Sequence, residues 1–124
     1  MELILWRHAE AEDGVPDAAR ELTEKGLDQA KRMSAWLKLR LPENTLIIAS
    51  PTRRTQQTAM ALTSDFATKK EVAPGASVNS ILTAVNWPNE QGAVVVVGHQ
   101  PTLGEVASCL IPILPPGLSV KKGS

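Results

Sequence analysis

Two histidines occur in the 124 residues, and each follows a short apolar or β-branched run with one residue between. Arg7-His8 follows Glu2–Trp6 (ELILW), and Gly98-His99-Gln100 follows Ala93–Val97 (AVVVV). A third run, Leu46–Ala49 (LIIA), is followed by Ser50-Pro51-Thr52-Arg53-Arg54. If the three runs are parallel strands of one sheet, their carboxyl ends share an edge, and ligands bind at that edge in open α/β sheets. Both histidines and at least two arginines then meet in one crevice. Taken singly, each histidine reads as a turn or cap residue and the arginine pair as a solvated helix face. Delivery of similar groups from three separate segments is what points to a site.

Such a set suits a phosphoryl group. Arginine presents a planar fork of donors that matches phosphate oxygens two at a time. Helix N-termini after Ser50 and Gly98 would add backbone N–H groups and a positive dipole end. A neutral imidazole can attack phosphorus and form a phosphohistidine that water then cleaves; His8, beside Arg7, could play that part, with His99 donating to a phosphoryl oxygen. Other chemistries lack their signatures. There is no G-x-x-x-x-G-K-[ST] loop, no H-E-x-x-H or paired-cysteine spacing for a metal, and no G-x-S-x-G elbow. Cys109 lies in an apolar helical stretch, so packing rather than reactivity is expected of it.

The elements that must position these residues alternate strand and helix, the pattern of an α/β sheet. Thr23 caps a helix whose buried face is Leu27, Ala30, Met33, Leu37 and Leu41, with Leu22 and Leu27 as a hydrophobic staple and Pro42 closing it. Ser50 with Pro51 reads as an N-cap and first-turn proline opening a helix near 51–63. A short strand is expected at Glu71–Ala73, a short helix from Ser77 to about Val85, and a last helix from Pro101 or Thr102 to Ile111. That last helix would bury Leu103, Val106, Ala107, Leu110 and Ile111. Ala93–Val97 is apolar at every position, as a strand covered on both faces requires.

Composition sets the frame. Apolar residues make up 43% and charged residues 21%, which fits a folded single domain over 1–124. Thirteen basic residues balance thirteen acidic ones, so no global field favours nucleic acid or an anionic membrane, and an anion site must be local. One cysteine and no signal or membrane segment point to the cytoplasm.

At these residues the sequence resembles the histidine phosphatase superfamily, also called phosphoglycerate mutase-like, and within it the small SixA-type phosphohistidine phosphatases. Leu5-Trp6-Arg7-His8-Ala9-Glu10 is similar to the family's opening strand and Arg-His motif, and Arg20-Glu21-Leu22-Thr23-Glu24-Lys25-Gly26 to its R-x-L-T-x-x-G segment. The stretch Ser50 to Ala59 (SPTRRTQQTA) resembles S-P-x-x-R-x-x-[QE]-T-A, aligned so that Arg53 is the phosphate ligand. Val96-Val97-Gly98-His99-Gln100-Pro101 resembles the strand ending in the second histidine. The resemblance implies a three-layer α/β/α sandwich with a mostly parallel sheet. It also implies His8 as phosphorylated nucleophile, with Arg7, Arg53 and His99 as catalytic, phosphate-binding residues, and no metal or other cofactor.

Three departures bear on function. Ala9 stands where the family usually has glycine, which would put a methyl at the floor of the site. The loop Pro74-Gly75-Ala76-Ser77 carries no carboxylate where many members have a general acid. Either the acid comes from elsewhere, with Glu10 as the candidate, or the leaving group needs none. A phosphohistidine suits the second case because protonated imidazole leaves neutral, whereas an alkoxide must be protonated as it departs. The family's C-terminal edge strand is expected to be missing, since the chain ends at Lys121-Lys122-Gly123-Ser124. With no long insertions, an open, shallow site is expected, suited to a phosphorylated side chain on a protein surface. The expected activity is therefore a metal-independent phosphatase acting on a histidine-phosphorylated protein, a phosphocarrier or phosphotransfer domain. The alternatives are a broad phosphomonoesterase on the same fold and a non-catalytic phosphate-binding module; a mutase fits less well.

Overall fold

The computed structural model describes residues 2–89 and 92–110. Four parallel strands form one sheet in the order β1-β4-β2-β3: β1 (Glu2–Arg7), β2 (Leu46–Ala49), β3 (Ala67–Thr68) and β4 (Ala93–Gly98). The helices are α1 (Glu24–Lys38), α2 (Arg53–Leu62), α3 (Val78–Ala84) and α4 (Thr102–Leu110). The expectation of parallel strands holds at every pairing.

Side chains of successive strand residues point to opposite faces, so each strand feeds two cores. Trp6, Ile47, Ala49, Val95 and Val97 pack with Leu37, Ala59 and Leu62 from α1 and α2. On the other face Ile48, Val94 and Val96 pack with Ile81 of α3 and Leu103 and Val106 of α4. The sheet is thus the middle layer of an α/β/α sandwich. Every residue of β4 is buried because both its faces are covered.

Local chemistry explains the α1 entry. The Thr23 hydroxyl accepts from Gly26 N at 2.9 Å and donates to Glu10 Oε2 at 2.8 Å, tying the chain after β1 to the helix N-terminus. Gly26 is required there, because a Cβ would overlap the Glu10 carbonyl. The buried stripe is Gly26, Ala30, Ser34 and Leu37, with Met33 and Leu41 packed against the core. Leu27 does not join it and is 48% exposed, while Leu22 packs with Ala9 and Ala30.

Four further expectations are corrected. The strand expected at Glu71–Ala73 lies instead at Ala67–Thr68, opposite Ile48 and Ala49, where Phe66 can pack against the α1/α2 core. Lys70–Val72 then curls into a 3-10 turn that buries Val72 against the opposite face. Ser50 is not the cap of α2, which starts at Arg53 after Thr52. Cys109 is exposed rather than packed. In α4, Leu103 and Val106 are buried, whereas Ala107 and Leu110 are only half-buried. Ile111 and the expected missing C-terminal strand fall outside the described residues. Among the described residues no helix is long and apolar enough to cross a membrane.

Gly26→Ala is expected to lower the urea midpoint by the equivalent of about 1–3 kcal/mol, the usual cost of overpacking. Unchanged stability would contradict the close approach of Glu10.

Candidate active site

The parallel register brings the three chemistry-bearing segments together. Arg7 lies opposite Gly98 at the last rung between β1 and β4, and His8 N donates to Gly98 O at 3.1 Å. Ser50 N donates to Val97 O at 3.1 Å, so the exit of β2 arrives beside them. The His8 and His99 rings lie 5.3 Å apart, centroid to centroid, tilted by 58°, and are 8% and 6% exposed.

The tautomers follow from their partners. His8 Nδ1 lies 2.7 Å from the Ala9 carbonyl oxygen. A carbonyl only accepts, so Nδ1 carries the proton and, in the neutral ring, Nε2 keeps its lone pair. That is the form a nucleophile needs. His99 Nδ1 lies 3.5 Å from Arg54 Nη2, a long contact, and Nε2 lies 2.8 Å from Ser50 Oγ. Guanidinium only donates, so Nδ1 accepts and Nε2 carries the proton, donating to the serine. Burial first, and then the Arg54 charge, push the His99 pKa down to about 3, with His8 and Arg7 acting in the same direction and Asp17 against them. His99 is therefore a neutral N–H donor at physiological pH.

The arginine at the site is Arg54, not Arg53. Arg53 is exposed and pairs with Glu21 at 3.2 Å. It lines a groove of about 730 Å³ with Leu27, Lys31, Pro51 and Met60, rather than the histidine crevice. Arg54 is 4% exposed, reaches His99, and is held by Asp17. The cause is helical: in α2, Arg54, Thr55 and Thr58 face inward with Ala59, and Arg53 falls on the outer side. The signal was in the sequence, because S-P-x-x-R counted from Ser50 ends on residue 54. Arg7 and Arg54 each keep a buried Nε–H with no protein partner, which is what an anion would satisfy.

The Ala9 methyl turns into a small core with Leu22 and Ala30 rather than crowding the site, and Ala9 N donates to Thr58 Oγ1 at 3.1 Å. The Glu10 carboxylate is taken by Thr23 at the α1 cap, so the structure does not bring it to the imidazoles. Ser50 and Asp17 were missed. Ser50 serves His99 instead of capping α2, and Asp17 sits in an exposed loop whose sequence gives no sign of its partner. Among the described residues no three His, Cys, Asp or Glu side chains cluster as a metal centre would require.

Comparison with known proteins gives the family. The family model described as histidine phosphatase superfamily (branch 1) matches residues 3–77. The chain belongs to the histidine phosphatase superfamily. It is 28% identical over 121 residues to the phosphohistidine phosphatase SixA of Escherichia coli, covering 90% of this chain and 75% of that protein. A structure of the protein histidine phosphatase SixA complexed with tungstate superposes with a TM-score of 0.83 at 27% identity, over 98% of this chain and 84% of the other. The SixA structure from Nakamurella multipartitia gives 0.76 at 31% identity, over 94% and 72%. The phosphoglycerate mutase-like α/β fold and phosphatase activity follow from this kinship.

Two outcomes test the site. The folded pKa of His99 lies below its unfolded value of about 6.5, so the unfolded chain binds the extra proton as pH falls. Stability should drop between about pH 6.5 and pH 3. His99→Gln should flatten that slope in urea titrations, and identical slopes would contradict the burial of a neutral ring. Arg54→Ala should cut phosphatase kcat/KM by about 10²–10³, the usual cost of one lost transition-state donor. Arg53→Ala should change it by less than about threefold; the reverse order would restore Arg53 to the site.

Proposed function

We propose that the chain hydrolyses phosphohistidine on a partner protein in the cytoplasm, through a phosphohistidine intermediate on His8 and without a metal. The observation that carries the mechanism is the Nδ1–H of His8 donated to the Ala9 carbonyl, which puts the lone pair of the neutral ring on Nε2, the nitrogen that attacks. In the first step Nε2 bonds to phosphorus and the P–N bond of the substrate breaks, its electron pair going to the leaving imidazole. That ring is already protonated on its other nitrogen, so it leaves neutral. Arg7, Arg54 and the neutral His99 N–H stabilise the equatorial oxygens as charge shifts. His99 exchanges its bond to Ser50 for one to a phosphoryl oxygen. Water then attacks phosphorus, the bond to His8 breaks, and phosphate is released. Because Nδ1 keeps its proton on Ala9 throughout, His8 also leaves as a neutral ring.

The substrate class is supported by the carboxylates. Glu10 is bound at the α1 cap. Asp17, which does reach Arg54, has its pKa held below the usual carboxylate range by hydrogen bonds from Arg20 and then Arg54. A general acid for an alkyl ester would need the opposite shift. The kinship with phosphohistidine phosphatases named SixA supports the same choice.

Phosphate release from a histidine-phosphorylated carrier domain should be fast, unaffected by EDTA and lost in His8→Ala. The p-nitrophenyl ester should turn over slowly by comparison. Hydrolysis of the ester without release from the folded carrier would reject the phosphohistidine assignment and leave a general phosphatase.

A further inference from the structure

Arg54 is a buried cation whose charge is met from the surface. Its side chain is 5% exposed, whereas that of Asp17 is 59% exposed. Nη1 donates to the Asp17 carbonyl at 2.9 Å and Nη2 to Asp17 Oδ2 at 3.1 Å. The same Nη2 lies 3.5 Å from His99 Nδ1. Asp17 is itself fixed, since its Oδ1 accepts from Arg20 Nη1 at 2.9 Å and Arg20 Nε donates to Glu12 O at 2.6 Å. An outer loop thus connects to the imidazole pair through Arg20, Asp17 and Arg54. A guanidinium out of water costs free energy unless paired, and two bonds from one residue also fix its plane.

We propose that Asp17 is a positioning residue, holding the Arg54 guanidinium so that it meets both the phosphoryl group and His99 Nδ1. This rests on the phosphatase reading of the site. Asp17 touches no reacting atom: it acts through its bonds to Arg54, and its direct charge effect on His99 is smaller than burial or the Arg54 and His8 charges. By keeping an N–H donor on Nδ1 of His99, the pair also keeps that ring's proton on Nε2, the side from which it can serve a phosphoryl oxygen. Asp17 stays ionised in this role, as its lowered pKa allows.

The test is a double-mutant cycle of Asp17→Ala and Arg54→Ala, read as kcat/KM for phosphoramidate and as Kd for tungstate. Asp17→Ala should lose about tenfold in each, and Asp17→Asn, which keeps an acceptor, should lose less. In the Arg54→Ala background Asp17→Ala should add nothing. With two histidines in the chain, ¹⁵N spectra of labelled rings can follow His99 directly. Asp17→Ala should shift it away from the Nε2–H tautomer, a change that a merely structural role would not produce. Additive losses, or an unchanged His99 spectrum, would overturn the proposal. So would tighter tungstate binding in Asp17→Ala, because it would make the carboxylate a competitor for Arg54. A wild-type protein that neither binds tungstate nor releases phosphate would instead sink the phosphatase reading, and this proposal with it.

Discussion

Parallel pairing of β4 with both β1 and β2 is the constraint on which the site depends. The register sets Arg7 opposite Gly98 and Ala49 opposite Val97, so three strands end at nearly one level. His8 and Ser50 each donate a backbone bond to β4 as they leave the sheet, which extends the ladder into the loops. The two imidazoles meet because their strands are neighbours. A slip of one residue would reverse every side chain of a strand and exchange core for site. The cost of such a slip is high here, since both faces of β4 are packed. Hydrophobic patterning therefore guards the geometry of the histidine pair.

Around that edge the protein spends polar bonds on orientation. Ala9 N donates to Thr58, and Thr58 donates to the Arg54 carbonyl, so the exit of β1 is clamped to the first turns of α2. His8 is fixed by the carbonyl of its own neighbour and His99 by a serine and an arginine. Each neutral ring is set in one tautomer by these partners: the proton is on Nδ1 in His8 and on Nε2 in His99. Burial keeps His99 neutral beside two arginines, so the positive charge of the site resides on guanidinium groups, which do not deprotonate.

Much of this was legible in the sequence, and the reasons are specific. Apolar runs followed by Arg-His, Gly-His and Ser-Pro located three of the four strands, and the first two of them both imidazoles. The Thr23 cap was readable because capping is local, whereas Gly26 entered only through the family resemblance, since its neighbour is the Glu10 carbonyl. What failed depended on rotation or on tertiary partners. The face of α2, and hence the choice of Arg54 over Arg53, turns on a 100° step between adjacent residues, which the motif count resolves only if made from Ser50. Leu27 and Cys109 are apolar by type yet exposed, since a helix buries a stripe and not every apolar residue it carries. Ser50 looks like a cap until His99, 49 residues away, claims its hydroxyl. Asp17 gave no local signal at all, because its meaning lies in a guanidinium on another element.

The central claim is that His8 Nε2 carries the phosphoryl group during turnover. The most direct measurement is ³¹P and ¹⁵N spectroscopy of the rapidly trapped enzyme, labelled at its two histidines, after mixing with phosphoramidate. The account predicts phosphorus bonded to Nε2 of His8, with Nδ1 still protonated. Phosphorus on Nδ1 or on His99, or turnover with no phosphorylated histidine under conditions that preserve one, would contradict it.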